Sequence, residues 1–155
     1  MTMKHFGRMA LTGALLALTL PLAAEAGQSI EGRWNCHENL NRNGLKGTVD
    51  SAVDFRADGT LYTALVVQAH KVVVPVRIEA TYQAKWRLDG SKLIEQATGA
   101  QITAFTIAGV DSSEGENAAD FKKELMTPGT PPDVVFVSDN QFELRQPGRV
   151  TVCKR

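Results

Sequence analysis

Apolar and polar side chains alternate along much of this chain, and the longest alternating run extends from Val72 to Leu88. Its even-numbered positions are all apolar, whereas its odd-numbered positions are charged or polar apart from Val73 and Pro75. A period of two predicts a β-strand with one dry face and one solvated face. At about 3.3 Å per residue the run would reach about 55 Å, but a globule of this size is about 35–40 Å across. We therefore expect a strand that bends sharply, or two strands that share one phase.

Shorter runs with the same period predict the other strands, which are separated by turn-forming residues. An Asp-Gly pair at positions 58–59 is typical of a two-residue hairpin turn. Ala118, Phe121 and Leu125 instead recur at helical spacing and predict one short helix that ends before Pro128. The fold class that we expect is mostly β, a small antiparallel up-and-down barrel of about eight strands, with the helix before the last three strands. The other strands are expected at 30–37, 48–56, 61–68, 92–98, 101–107, 134–137, 141–146 and 149–153, with a polar loop over 38–47.

The first 26 residues have the three-part layout of a cleavable secretory signal. Basic residues at Lys4 and Arg8 precede an apolar run, and small residues follow at Ala24 and Ala26, the two positions that a signal peptidase reads. We expect cleavage after Ala26, with Ala24 as the alternative, and one barrel domain over 27–155. A membrane span takes roughly 20 apolar residues, so this run is short for a retained anchor. The sequence predicts a periplasmic or secreted protein with no membrane span after signal cleavage.

Charge is balanced across the chain, which has 17 basic and 17 acidic residues. Loss of the signal would leave a net charge of −1, because Lys4, Arg8 and Glu25 go with it. Nucleic-acid binding depends on clustered Lys and Arg residues that neutralise phosphates, and the sequence contains no such cluster. We therefore expect no nucleic-acid partner.

Two cysteines, Cys36 and Cys153, stand near opposite ends of the predicted domain. An even count in an exported protein favours a disulfide; free thiols are the alternative, and a zinc site lacks the usual ligand spacing. Strand alternation raises a conflict, because Cys36 shares the inward phase of Trp34 while Cys153 lies opposite Val150 and Val152. The last strand could end before Cys153 and turn back, a bulge could shift the register, or the two valines could face outward. We favour the first resolution, since chain ends bend easily.

Known catalytic and metal-binding patterns are missing from the sequence, which has no Gly-x-Ser-x-Gly, His-Glu-x-x-His or phosphate-binding loop. His37 and Glu38 are adjacent, so on a strand they point to opposite faces and cannot act together. Asp50 and Asp54 share a face but are about 13 Å apart along the strand, too far for a carboxylate pair. We therefore expect no enzyme activity, no metal and no cofactor.

Gly32-Arg33-Trp34 on the first predicted strand resembles the Gly-x-Trp signature of lipocalins and other calycins, and the hairpin at 55–60, Phe-x-x-Asp-Gly-Thr, is similar to that of small bacterial lipocalin-like proteins. The helix stands before the last three strands, whereas the lipocalin helix lies near the end of the chain. The resemblance implies a barrel in which Trp34 plugs the closed end and a basic residue from a late strand packs over it. The candidates for that basic residue are Arg145, Arg149 and Lys154.

Three aromatic side chains, Trp34, Tyr82 and Trp86, occupy inward positions and either line a ligand cavity or fill the core. The segment 109–132 is the longest irregular stretch, and long loops often carry function. Our first hypothesis is a non-catalytic exported barrel that binds a small apolar ligand or an envelope component. The alternatives are a protein-interaction module with a protein partner, such as an inhibitor of secreted enzymes, and an unrecognised enzyme.

Overall fold

The computed structural model describes residues 28–42 and 44–155, which form nine β-strands and one helix. The predicted signal peptide, residues 1–26, lies outside the described residues. Five long strands come first, a two-residue strand and the helix follow, and three short strands end the chain. Their bounds are β1 Gly32–Arg42, β2 Leu45–Phe55, β3 Thr60–Lys71, β4 Val74–Asp89, β5 Lys92–Ile107, β6 Val110–Asp111, α1 Glu116–Met126, β7 Asp133–Ser138, β8 Gln141–Gln146 and β9 Arg149–Lys154.

Neighbouring strands pair antiparallel in chain order from β1 to β5, and again from β7 to β9. Because β9 also pairs with β1 and β5 meets β7, eight strands close into a ring. The short β6 adds to β5 outside that ring. The mostly β architecture, the antiparallel eight-stranded ring and the helix before the last three strands confirm the predicted fold class.

The ring is thinnest where β5 meets β7, a junction that we call the seam. One residue pair, Lys92 with Asp133, is in register there. The backbone N–H groups of Leu93 and Val134 donate across the seam at 2.9 and 2.7 Å. The Asp133 carboxylate accepts hydrogen bonds from the Lys92 ammonium at 2.7 Å and the Ser91 hydroxyl at 2.8 Å, and both hold the pKa of Asp133 below its usual value. A few polar contacts therefore close the barrel on this side.

Residues 38–42 and 45–47 belong to strands, so the loop predicted over 38–47 is wrong. β1 continues to Arg42 and β2 begins at Leu45. Alternation explains the difference, because Glu38 and Leu40 keep the inward phase of the strand and are buried. Asn39 and Asn41 alternate with them and face solvent.

The two strands predicted at 92–98 and 101–107 form one strand, β5. Opposite β4, this strand carries one extra residue between Ala97 and Gly99 and another between Ile102 and Ala104. Such bulges bend and twist a strand, so β4 and β5 wrap around the barrel without breaking. The long alternating run is therefore a single strand whose partner is bent at two bulges.

The even-numbered residues of the alternating run are buried at its centre but exposed at its ends. Ile78, Ala80 and Ala84 are buried on the inner face of β4. Val72 precedes the strand in a turn and is 82% exposed, and Leu88 at the far end is 40% exposed. Val74, the first residue of β4, is 39% exposed. The prediction that these three residues are buried is wrong, because β4 is longer than the core that it covers.

Cys36 and Cys153 form the predicted disulfide, which joins β1 to β9. The two residues lie directly opposite each other in the register of these strands, and β9 continues to Lys154. The chain therefore does not turn back before Cys153, and the favoured resolution of the phase conflict is wrong. Instead Val150 and Val152 lie in the outward phase, so Cys153 takes the inward position and is fully buried.

Trp34 closes one end of the barrel, and the residue that packs over it is Arg155. The guanidinium carbon lies 4.1 Å from the Trp34 ring centroid, a cation–π contact, and Arg155 also donates to the carbonyl groups of Glu31 and Asp139. Gly32 adopts a φ of 105°, which favours glycine, and a Cβ there would lie 3.5 Å from this guanidinium. The three basic residues predicted for the role are engaged or placed elsewhere: Arg145 pairs with Glu143, Arg149 pairs with Glu38, and Lys154 is exposed.

Two apolar clusters fill the interior. The first surrounds Trp34 and includes residues of the short strands β7 to β9. The second draws its residues from β1 to β5 and from α1, which contributes Ala118 and Phe121. An ion pair between Arg42 and Glu124, 2.6 Å long, ties the end of β1 to the helix. The helix therefore covers the part of the long strands that the short strands leave open.

Candidate ligand-binding cavity

A polar layer separates the two apolar clusters inside the barrel. Along β1, Glu38 lies between Cys36 of the first cluster and Leu40 of the second. Ser51 on β2 and Thr63 on β3 hold the equivalent places, each between an apolar residue of one cluster and an apolar residue of the other. Three neighbouring strands thus bring polar side chains to one level of the interior, because alternate residues of a strand share a face.

Glu38 is the most buried charge of this layer, with 6% of its surface exposed. The Arg149 guanidinium donates to both carboxylate oxygens, at 2.7 and 2.8 Å, and the Thr151 hydroxyl donates to one of them at 2.8 Å. Arg149 and Thr151 are alternate residues of β9, so both reach the same carboxylate. The negative charge of the buried Glu38 carboxylate is therefore balanced within the protein by the Arg149 guanidinium and by these hydrogen bonds.

Tyr82 of β4 and Glu95 of β5 form a second polar pair. Burial raises the pKa of the Glu95 carboxyl above its ordinary value, and the hydrogen bond with Tyr82 offsets only part of that effect. Burial, together with the nearby Glu95 carboxylate, also raises the pKa of the Tyr82 hydroxyl. Within residues 28–42 and 44–155, no Lys, Arg or His forms an ion pair with Glu95. Glu95 is therefore a carboxyl group whose surroundings disfavour its charged form.

These polar groups line a cavity of about 190 Å³ inside the barrel. Apolar side chains, among them Val53, Phe55 and Leu61, line one part of its wall, and the polar layer lines the rest. The Arg149 side chain lines the cavity and is 44% exposed, so it marks the place where the cavity meets solvent. The cavity thus offers an apolar surface and ionisable groups to the same occupant.

The three aromatic residues predicted for a binding site lie in different places. Tyr82 lines the cavity. Trp34 is 2% exposed and packs edge-on against Phe142, with ring centroids 4.6 Å apart. Trp86 packs edge-on against Phe55 at 5.3 Å, beside the first apolar cluster. The structure therefore brings Tyr82 to the cavity and places both tryptophans in the packing around the closed end.

Sequence reasoning missed the three charged residues of the cavity. Glu38 fell within the predicted loop, which concealed its inward phase. Glu95 stands two positions after Leu93, which is buried, so the two share a face of β5. Arg149 was considered only as the residue over Trp34. A charged residue at an inward position of a strand is the signal that could have identified Glu95.

A wider depression lies on the outer face of β1 to β4, with a volume of about 590 Å³. The small side chains of Ala52 and Ala64 help to form it, and His37 and Asp50 stand beside them. His37 Nδ1 lies 2.7 Å from Asp50 Oδ1, and both side chains are about half exposed, at 52% and 55%. This depression lies on the outer surface, whereas the interior cavity is lined by the buried polar layer and by apolar core residues, so we place the candidate site inside the barrel.

No model of a known protein family matches the chain, and no curated protein matches its sequence. Across the described part of the chain, no helix has both the length and the apolarity needed to cross a membrane. The same residues contain no group of three His, Cys, Asp or Glu side chains placed to hold a metal ion. The interior cavity is therefore the feature from which we infer a function.

Proposed function

We propose that the barrel binds, without chemical conversion, a small and largely apolar molecule that carries an amine. The observation that carries this proposal is the cavity between the two apolar clusters, where apolar side chains and the Glu95 carboxyl group line one space. A calycin-like identity is part of the proposal and is supported by the closed end, where Arg155 stacks on Trp34. The Cys36–Cys153 disulfide supports a periplasmic or secreted location, because disulfides persist in oxidising compartments.

The volume limits the ligand to about the size of one aromatic ring. A buried apolar cavity of about 150 Å³ holds benzene, whereas pockets for drug-sized ligands occupy about 300–1,000 Å³. At about 190 Å³, this cavity accommodates a benzene ring with a short substituent. Val53, Phe55 and Leu61 supply the apolar surface against which such a ring would pack.

The two carboxyl groups of the layer determine the charge of the ligand. Glu38 already accepts hydrogen bonds from Arg149 and Thr151. Glu95 has the uncharged Tyr82 hydroxyl beside it and forms no ion pair within the described residues. A cation beside Glu95 would offset the cost of desolvating this carboxylate, because opposite charges attract strongly where water is excluded. An anion would find no free cation among the described residues of the cavity wall, because Arg149 already pairs with Glu38, and is therefore disfavoured.

Isothermal titration calorimetry with benzylamine, benzyl alcohol and benzoate tests this proposal. The three probes share a ring and differ in charge. We expect benzylamine to bind about tenfold or more tightly than benzyl alcohol, benzoate to show no binding, and the heat capacity to fall on binding. If neither benzylamine nor benzyl alcohol binds, the cavity is not a site for such ligands. If the two bind equally, the amine is not recognised.

Glu95→Gln keeps the shape of the side chain and removes its charge. We expect benzylamine affinity to fall about tenfold or more, while benzyl alcohol affinity is unchanged. Glu79→Gln is the matched control, because Glu79 lies on the outer face of β4 and pairs with Arg77. A Glu95→Gln variant that retains the full preference for benzylamine would contradict the assigned role of Glu95.

A further inference from the structure

Two hairpin turns stand side by side at the end of the barrel opposite Trp34. Residues 72–73 connect β3 to β4, and residues 108–109 connect β5 to β6. The backbone N–H of Ala108 donates to the carbonyl group of Pro75 at 2.9 Å. This bond joins the two turns into one projection, which we call the valine tip and define as residues 72–75 and 108–110.

The valine tip exposes a concentration of apolar side chains. Val72 is 82% exposed, Val73 is 85% exposed and Val110 is 67% exposed. Val74, at the start of β4, adds a further 39% exposed side chain. Single exposed valines are ordinary on protein surfaces, but neighbouring ones that form a patch mark a contact with another apolar surface.

Val72 is held in a backbone conformation that suits glycine. Its φ is 60°, in the left-handed region, where a β-branched residue is a genuine outlier. A two-residue hairpin turn with positive φ at its first central position normally has glycine there. Ala108 in the neighbouring turn also has a positive φ, 52°. Such strain is costly and concentrates at functional sites, so a valine in this conformation at the apex points to a role in function.

Two basic residues beside the valine tip, Lys71 and Lys46, lack an ionic partner in the part of the chain that the structure describes. Lys71 directly precedes the tip and lies across from Leu45, while Lys46 lies across from His70. Among residues 28–42 and 44–155, no carboxylate forms an ion pair with Lys71 or Lys46. The nearby acidic groups are engaged: Glu79 by Arg77, Glu124 by Arg42, and Asp111 by hydrogen bonds from Ser113.

We propose that the valine tip inserts into the surface of an anionic lipid membrane. The valines would enter the boundary of the acyl chains, while Lys46 and Lys71 at the base of the tip would contact the anionic headgroups. A projecting tip favours a deformable lipid surface over a protein partner, which would need a matching concave pocket. This contact does not involve the interior cavity and goes beyond the proposed ligand binding.

Co-sedimentation of the purified protein with lipid vesicles tests the lipid contact. We expect binding to vesicles of phosphatidylcholine mixed with phosphatidylglycerol, and much weaker binding to phosphatidylcholine alone. Lys71→Gln should weaken binding to the mixed vesicles by about fivefold, the effect of one basic residue near an anionic surface. Added salt should weaken it too, because salt screens the charges.

Substitutions at the valine tip distinguish an effect on the membrane contact from an effect on folding. Val73→Asp should weaken vesicle binding by about tenfold or more. Val137→Asp is the matched control, since Val137 is 55% exposed near the opposite end of the barrel and should leave binding unchanged. Val72→Gly should raise the midpoint of thermal unfolding, because glycine accepts the left-handed conformation. It should nevertheless weaken vesicle binding, so that a loss of fold cannot account for the effect.

Failure to bind either kind of vesicle would overturn the proposal, as would full binding by Val73→Asp. Self-association of the parent protein that Val73→Asp abolishes, without any vesicle binding, would assign the tip to a second copy of the chain. That outcome also overturns the lipid contact. None of these outcomes depends on whether the interior cavity binds an amine.

Discussion

Gly47 of β2 stands where any side chain would strike the neighbouring strand. A Cβ there would overlap the Gln68 carbonyl oxygen and lie 2.6 Å from Ala69 Cα, both of which belong to the backbone of β3. Gly47→Ala should therefore push β2 and β3 apart and lower the free energy of unfolding by about 3 kcal/mol. At Gly99 the nearest atom to a Cβ would be the end of the Gln83 side chain, at 3.7 Å.

Gly99→Ala is consequently the control for Gly47→Ala and should stay within about 1 kcal/mol of the parent. Urea unfolding of the two variants provides the measurement. Similar losses of stability at the two positions would show that the close approach of β2 and β3 is not the reason why glycine is needed at position 47.

Glu95 links stability to pH in the direction opposite to that of a salt-bridged carboxylate. Burial raises its pKa in the folded protein, so folding favours the protonated form. The resulting stabilisation is complete below the ordinary carboxyl pKa and is lost as the pH rises through the folded-state value. Glu95→Gln stays uncharged, so its stability relative to the parent should increase as the pH rises through that window.

Thermal unfolding of the parent and Glu95→Gln over a range of pH measures this difference. The Glu79→Gln control, at the outer-face pair with Arg77, should show no comparable increase. A difference between parent and Glu95→Gln that stays constant with pH would contradict the raised pKa.

Single residues were predictable where they obey the alternation of a strand. Val53 and Phe55 are buried and Ser51 lines the cavity, as the pattern of β2 predicts. The alternation could not identify Arg155, because a residue at the chain end that folds back over Trp34 leaves no periodic signal. Glu38 was missed because asparagines are common in turns, and several of them follow it in the sequence.

At the scale of elements, α1 supplies a wall that the short strands do not provide. Ala118 is the buried residue of the helix, at 2% exposure, whereas the adjacent Ala119 is exposed. Ala118→Lys should lower the free energy of unfolding by more than about 3 kcal/mol, because it forces a charge into an apolar cluster. Ala119→Lys should stay within about 0.5 kcal/mol of the parent.

Denaturant unfolding of the two variants measures this difference in the free energy of unfolding. Both variants replace an alanine of α1 with lysine, so they differ only in position. A small effect at both positions would show that α1 does not protect the second apolar cluster. The type and order of the elements were predictable because each has its own period, although β5 was predicted as two strands and β6 was not predicted. Their ends were not: Gly99 resembles a break, yet a bulge accommodates it within β5, and the turn at 72–73 consists of valines, which carry no turn signal.

At the scale of the whole molecule, the Cys36–Cys153 disulfide fastens the first strand to the last. β1 and β9 share four register pairs, and the bond spans a sequence separation of 117 residues. Replacing both cysteines with alanine should lower the free energy of unfolding by about 4–5 kcal/mol, the chain-entropy value for so long a loop. Reducing the parent should produce a similar loss.

Peptide mapping under non-reducing conditions should recover the two cysteines in one linked fragment. Free thiols at both positions in the oxidised protein would contradict the bond. The pairing also shows what could be predicted of the whole: strand count and alternation indicate a closed barrel with its first and last strands adjacent. The cavity could not be predicted, because it joins side chains from distant strands that no local pattern relates, namely Glu38, Tyr82, Glu95 and Arg149.

The seam between β5 and β7 has a consequence for the rate at which the interior exchanges with solvent. One register pair holds it, whereas eleven join β1 to β2, so local opening requires less free energy at the seam. The amide hydrogens of Leu93 and Val134 should therefore exchange with deuterium well before those that pair β1 with β2. A cross-link between Lys92→Cys and Asp133→Cys should slow this exchange toward the rate of the β1–β2 amides, because it prevents the local opening of the seam.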